Sequence, residues 1–136
     1  MIKNYKVNVA FITTIKQDDN VSEVKLDAIG SLVVNENHQK LYFQTTQSNQ
    51  VYQMEIYIND GSIKIKQIKP NPSTLEFDSN KKTFATYTTD YGTLDVAIKT
   101  SKLVTKPGNI VIEYLIDNQN AINNFYAVEI TYKELV

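Results

Sequence analysis

Apolar and polar residues alternate one by one along most of this chain, and this period of two is the feature that most constrains its fold. The segment from residue 6 to residue 11 reads Lys-Val-Asn-Val-Ala-Phe, and similar runs recur to residue 132. Successive side chains of a β-strand point to opposite faces, so such runs are typical of strands with one buried face. The pattern therefore predicts an all-β protein.

Turn-forming residues separate these runs, and together they define ten predicted strands. One run is ambiguous, because Val51, Met54 and Ile58 also have the spacing of a short helix. Its β-branched and aromatic residues, and the Asn59-Asp60-Gly61 turn that follows, favour a strand. The ten strands are predicted around residues 5–15, 24–34, 41–45, 51–58, 63–66, 74–77, 83–89, 93–104, 110–116 and 125–132.

The spacing of the strands predicts a closed or nearly closed barrel. Strands recur every ten to twelve residues or so without a periodic helix between them, which is typical of antiparallel barrels and sandwiches. Gly30 lies inside the second strand, where glycine commonly marks a bulge or a sharp bend. We therefore predict one domain over residues 1–136, an antiparallel up-and-down β-barrel of about 8–10 strands.

Composition narrows the classes of function. The chain has no Cys, which excludes disulfides, thiolate metal sites and a cysteine nucleophile, and its 14 basic residues are all Lys. A net charge of −1 argues against a general nucleic-acid or anionic-membrane binder. No apolar run is long enough for a membrane-spanning helix, and no signal peptide is recognised, so a cytoplasmic location is expected.

The second half of the chain carries a family resemblance. The segments Leu75-Glu76-Phe77, 87–96 (Tyr-Thr-Thr-Asp-Tyr-Gly-Thr-Leu-Asp-Val) and 110–115 (Ile-Val-Ile-Glu-Tyr-Leu) resemble the YwiB-like family of small bacterial proteins. The resemblance covers roughly residues 23–133 and implies a calycin-type, lipocalin-like barrel whose function is not established. Two departures accompany it: residues 66–70 read Lys-Gln-Ile-Lys-Pro where many members have an Arg-x-Gly turn, and the Trp and Arg of classical lipocalins are absent.

No catalytic or metal-binding constellation is visible. The single imidazole, His38, lies in an Asn-rich turn without a nucleophile elbow elsewhere in the chain. The Asp18-Asp19-Asn20 cluster has the composition of a tight turn and lacks the spacing of a calcium loop. We expect no catalytic residue, no metal, no cofactor and no enzymatic activity.

The hairpin around Gly92 decides which way Tyr87 points. A three-residue loop would turn Tyr87 outward, whereas a two-residue Tyr91-Gly92 turn or a four-residue loop would place Tyr87 opposite Val96 on the inner face. The second arrangement keeps Leu75, Phe77, Ala85 and Tyr87 on one apolar face, so we predict it. Gly92 is expected to adopt a positive φ.

Two functions remain open for such a barrel. The first is binding of an apolar or aromatic small molecule, because ten strands enclose more space than the eight that already accommodate one small ligand. The second is a structural or protein-interaction module with a filled interior, and a homodimer is left open. The residues predicted to line a ligand site, from the interior to the mouth, are Tyr87, Val96, Ile98, Thr100, Ile112, Tyr114, Thr89 and Tyr91.

Overall fold

The computed structural model describes residues 2–117 and 124–135, and these form ten β-strands. The predicted number of strands is confirmed, and the ambiguous segment 51–58 lies within a strand. In the described residues no helix is long and apolar enough to cross a membrane. The strands are β1 Ile2–Gln17, β2 Asn20–Asn35, β3 His38–Gln47, β4 Gln50–Asn59, β5 Ser62–Lys69, β6 Ser73–Asp78, β7 Thr83–Thr89, β8 Gly92–Lys106, β9 Asn109–Asp117 and β10 Asn124–Glu134.

The ten strands close into one antiparallel barrel. Each strand pairs with the next in the sequence, and β10 returns to pair with β1. The closing ladder is long: it runs from the pair Val7–Glu134 to the pair Gln17–Asn124. The predicted up-and-down barrel is therefore confirmed, and its topology is consistent with the calycin, lipocalin-like architecture.

The chain's own side chains fill the middle of the barrel. Inward positions of neighbouring strands bury aliphatic and aromatic groups, each of which stabilises the fold by about 1.5–3 kcal/mol when fully removed from water. Phe77, Ile56 and Ile112 have almost no accessible surface. The remaining members of this core are Val7, Val9, Phe11, Leu26, Leu41, Phe43, Met54, Ile63, Ile65, Ala85, Ile98, Ile110, Tyr114, Val128 and Ile130.

Of the bulge and the sharp bend that the sequence suggested as alternatives for Gly30, the bulge is not formed. The β1–β2 register runs unbroken through the pair Val7–Gly30, and Gly30 also pairs with Phe43 of β3. A Cβ at Gly30 would lie only 2.4 Å from the backbone oxygen of Tyr42. Glycine is therefore required by a close approach of two backbones, which is the other common reason for glycine in a strand.

The register predicted for the β7–β8 hairpin is wrong by two residues. The turn consists of Asp90 and Tyr91, so that Tyr87 pairs with Leu94 and Ala85 pairs with Val96. A shift of two residues leaves every side chain on its original face. Tyr87 accordingly packs against the core, as predicted, and Gly92 has the predicted positive φ, 123°.

Candidate ligand-binding site

One end of the barrel is less filled than its middle. We call this the open end; it carries the β1–β2, β3–β4, β5–β6 and β7–β8 turns. Val24 and Leu94 pair with inward-facing residues there and yet are 44% and 57% exposed. Other inward side chains at this end are only partly buried, namely Thr13, Ile15, Thr45, Tyr52, Tyr87, Val96, Ile116 and Tyr126. The open end thus presents apolar and hydroxyl-bearing groups toward solvent.

A cluster of aromatic rings lies below this rim. Tyr114 of β9 and Tyr126 of β10 are directly opposite in the antiparallel ladder, and their rings stack with centroids 5.0 Å apart and planes 9° from parallel. Phe77 of β6 meets the Tyr114 ring across the barrel at 4.8 Å with a tilt of 55°. Such contacts add to the stabilisation from burial and fix the orientation of the rings.

Burial and nearby phenols disfavour ionisation of Tyr114 in this cluster and of the adjacent Tyr87. Burial raises the pKa of Tyr87, and the neighbouring Tyr126 raises it further. The pKa of Tyr114 is raised strongly, first by burial and then by Tyr87 and Tyr126. The three phenols are therefore close enough to interact electrostatically, and Tyr87 and Tyr114 remain neutral hydrogen-bonding groups at physiological pH.

Two buried polar atoms accompany the cluster without a hydrogen-bond partner in the described part of the chain. They are Oγ1 of Thr100, which faces Tyr114 across the β8–β9 ladder, and Oδ1 of Asn124. The other amide atom of Asn124, Nδ2, donates to the Tyr126 hydroxyl at 3.3 Å. Unsatisfied buried polar atoms are uncommon in folded proteins, so these two atoms are available to bond a small molecule.

An irregularity in β8 places Thr100 at this position. The β8–β9 register shifts between Thr100 and Lys102, and Ser101 donates from Oγ to the backbone oxygen of Glu113 at 3.0 Å. The extra residue allows both Thr100 and Leu103 to pair with inward-facing residues of β9. Bulges of this kind commonly re-aim side chains next to functional sites.

A side cavity of about 580 Å³ reaches Thr100. It lies between the β6–β7 turn and strands β8 and β9, because β7 begins only at Thr83, opposite Ile98, and leaves the remainder of β8 without that neighbour. Its walls combine the apolar Leu115 and Ile116 with lysines. This volume is within the usual range of small-molecule pockets.

The structure distributes the predicted site residues over three zones. Ile98 and Ile112 are completely buried in the packed middle, and Tyr114 is 4% exposed at its upper boundary. Tyr87 and Val96 are partly buried between this middle and the open end, whereas Thr100, also partly buried, lies beyond Ile98 on β8 and borders the side cavity. Thr89 and Tyr91 lie exposed at the tip of the β7–β8 hairpin, away from the aromatic cluster, and Thr89 is bonded within the turn.

Tyr126 and Asn124 were not among the site residues predicted from the sequence. The alternation of β10 contained the necessary signal, because Tyr126, Val128 and Ile130 share one phase, and the last two are core residues. Pairing that phase with Ile112 and Tyr114 of β9 would have brought Tyr126 against Tyr114. Asn124 begins its strand, where a polar residue normally indicates only a turn.

Elsewhere in the described residues no cluster of three or more His, Asp or Glu could hold a metal ion. His38 is exposed, and its Nδ1 lies 2.7 Å from Oδ1 of Asn59. Asp18 has a positive φ of 53° in the β1–β2 turn, which agrees with the turn interpretation of residues 18–20.

Comparisons with known proteins identify the fold and a family description. The sequence model of the family described as "Domain of unknown function (DUF1934)" matches residues 9–130. No curated protein matches the chain. The crystal structure of the ywiB protein from Bacillus subtilis superposes with a TM-score of 0.74 at 14% identity, covering 99% of this chain and 96% of that one, so the two share a fold. The Ail protein of Yersinia pestis, solved with the heparin analogue sucrose octasulfate, has a TM-score of 0.28 at 8% identity, covering 95% of this chain and 97% of that one.

Proposed function

The chain belongs to the DUF1934 family of domains of unknown function, as its YwiB-like sequence features implied, and we propose that it binds an apolar or aromatic small molecule at the open end of its barrel. The observation that carries this proposal is the pairing of an aromatic cluster with unsatisfied buried polar atoms. Tyr114 and Tyr126 provide a stacked pair, and the partnerless atoms of Thr100 and Asn124 lie close to it.

The chemistry of these groups defines the ligand class. An apolar or aromatic body would pack against Tyr87, Val96 and Tyr126, and a hydroxyl or amide on it would satisfy Thr100 or Asn124. The side cavity opens beside the β6–β7 turn, at the end opposite the open end, and a carboxylate that entered there toward Thr100 would meet Lys81 and Lys99. The proposed ligand is accordingly a fatty-acid-like or phenolic acid molecule, and a cytoplasmic location of the chain is part of the same proposal.

Titration with an environment-sensitive apolar dye, followed by competition with fatty acids and aromatic acids, tests this proposal. Val96→Trp should block the open end and abolish dye binding. Ala97→Trp is the matched control, because it adds the same ring on the adjacent residue, whose side chain points to the opposite face, and should leave binding intact. Native mass spectrometry of protein purified without denaturation should detect the bound mass.

The contribution of the Thr100 hydroxyl to ligand binding is tested separately. Thr100→Val removes the partnerless hydroxyl with little change of shape and should weaken competition by ligands that carry a donor, without weakening the dye. Thr105→Val, on the same strand beyond the irregularity, serves as its control. If neither dye nor acids bind the wild-type protein, and Val96→Trp only destabilises it by the 1–3 kcal/mol or so of an overpacked core, the ligand proposal is wrong.

The packed middle of the barrel favours a second candidate function, that of a protein-interaction module. Ile98, Ile112 and their neighbours leave this part of the interior no accessible surface. A barrel filled in this way would act through its outer surface or an edge strand. Absence of ligand together with a specific protein complex would favour this candidate.

A further inference from the structure

Although the barrel as a whole is closed, one part of strand β2 has no neighbouring strand on one of its two sides. β3 pairs with β2 only between Gly30 and Asn35, while β1 pairs with β2 along its whole length to Asn20. Residues 20–26 of β2 therefore have a strand on one side and, among the described residues, no strand paired or bonded to them on the other; the next residue, Asp27, still bonds to Thr45 of β3. We call this segment the free edge of β2. It includes Val21, 64% exposed, and Val24, 44% exposed.

The positions whose backbone groups face outward follow from the β1–β2 turn. Asp18 and Asp19 form a two-residue turn closed by the pair Gln17–Asn20, and such a closing pair is hydrogen-bonded. Even-numbered residues of β2 therefore bond to β1, and odd-numbered residues direct their N–H and C=O groups to the free edge. One contact supports this assignment and marks where the free edge ends: the hydroxyl of Thr45 of β3 donates to the backbone oxygen of the odd-numbered Asp27 at 3.1 Å.

The side chains of the free edge are complementary to those of the same segment in a second copy of the chain. If two copies pair antiparallel about a two-fold axis at Val24, Glu23 of each copy lies opposite Lys25 of the other. Both residues are odd-numbered, so each such pair also exchanges two backbone hydrogen bonds. Sliding one copy by two residues along the other, in either direction, places Glu23 opposite Glu23 or Lys25 opposite Lys25. Both of these like-charge pairs are repulsive.

The long strand β8 also has a stretch that lacks a paired neighbour on one side, but its side chains differ from those of the free edge of β2. Beyond Ile98 it has no pairing with β7, but this stretch carries Lys99, Lys102 and Lys106, and the β6–β7 turn lies beside its beginning. Lysines on an edge strand oppose pairing with another chain. The free edge of β2 has one lysine, and a glutamate stands two residues before it.

From the open backbone groups, the exposed valines and the charge pattern, we propose that the free edge of β2 binds a second copy of this chain, forming a two-fold symmetric dimer with a continuous intermolecular sheet. The dimer contact is centred on Val24 and held by two Glu23–Lys25 pairs. This contact lies outside the aromatic cluster and does not depend on the binding of a small molecule.

Sedimentation equilibrium over about a hundredfold range of concentration measures the dimer by mass action. Glu23→Lys and Lys25→Glu each replace two attractive pairs by two repulsive ones and should weaken dimerisation about tenfold or more. The double variant Glu23→Lys/Lys25→Glu restores opposite charges and should regain the wild-type affinity. Lys102→Glu, the control on β8, should leave the dimer unchanged.

Proline substitutions test the backbone assignment. The N–H of Lys25 faces the free edge, so Lys25→Pro should prevent dimerisation while circular dichroism and the melting temperature show a folded barrel. The N–H of Val24 bonds to β1, so Val24→Pro should lower the melting temperature itself. Equal destabilisation by the two prolines would overturn the assignment.

Three results would overturn the dimer proposal. They are a wild-type protein that is monomeric throughout the concentration range, a dimer that Glu23→Lys does not weaken, and failure of the charge-swapped double variant to recover. If an extended peptide occupied residues 20–26 in place of a second copy, the protein would stay monomeric, which is the first of these results.

Discussion

Single residues in the aromatic cluster make the stability of the barrel sensitive to alkali. Burial raises the pKa of Tyr114 and Tyr87 above the value of 10.0 for an exposed phenol, so the folded state holds their protons more tightly than the unfolded state. Their contribution is fully present below pH 10 and is lost as the pH rises toward the folded-state pKa values.

We therefore expect the urea midpoint to fall steeply above pH 10 in the wild-type protein. Tyr114→Phe should reduce this fall, because the buried phenol is the group that resists ionisation. Tyr91→Phe, at a fully exposed position, is the control and should follow the wild-type curve. Parallel curves for all three proteins would contradict the assignment.

Gly30 is a second residue whose identity follows from one contact. Gly30→Ala would place a methyl group 2.4 Å from the backbone oxygen of Tyr42 and 2.9 Å from Cβ of Phe43, so β2 and β3 would have to separate. We expect a loss of about 1–3 kcal/mol in the free energy of unfolding, the usual range for overpacking. The neighbouring outward-facing Ser31→Ala should change it little, and a neutral Gly30→Ala would disprove the close approach.

The conformation of the whole β7–β8 hairpin depends on Gly92. Its φ of 123° lies in the region that residues with a Cβ rarely adopt. Gly92→Val should cost about 1–3 kcal/mol by denaturant unfolding, the range for a strained backbone position. Thr93→Val, one residue later in extended backbone, should be tolerated, and an unchanged midpoint for Gly92→Val would refute the requirement.

The same hairpin shows what sequence reasoning could and could not determine. Alternation placed Tyr87 and Ala85 on the inner face, because every register that keeps their phase is equivalent for burial. It could not distinguish Leu94 from Val96 as the partner of Tyr87, since both are apolar and two residues apart. The choice depends on the turn geometry of Asp90 and Tyr91, for which the sequence has no strong preference.

The number and antiparallel direction of the strands were predictable from the alternation and the turn residues. The candidate site was predictable only in part. Tyr114 and Thr100 were identified from their phase, but the shift at Ser101, which brings Thr100 opposite Tyr114, has no sequence signal such as glycine. The free edge of β2 was also hidden, because the point at which β3 leaves β2 depends on the coiling of the whole sheet.

The stability of the closed barrel depends on the ladder between β1 and β10. A chain ending at residue 123 would leave the edges of β1 and β9 unpaired and would expose core residues such as Val9 and Ile112. We expect this truncated chain to lose its cooperative thermal transition and to aggregate. A peptide of residues 124–136 added in trans should restore the transition, and cooperative unfolding of the truncated chain alone would contradict this view.

The uneven filling of the barrel has an evolutionary consequence. Residues in the packed middle touch one another across the interior, so a change in one volume demands a compensating change in another. A rim residue such as Leu94, which is 57% exposed, lacks that mutual constraint and can be exchanged singly. Descendants of one ancestral gene could thus acquire different binding preferences at the rim by point mutation while inheriting the same barrel.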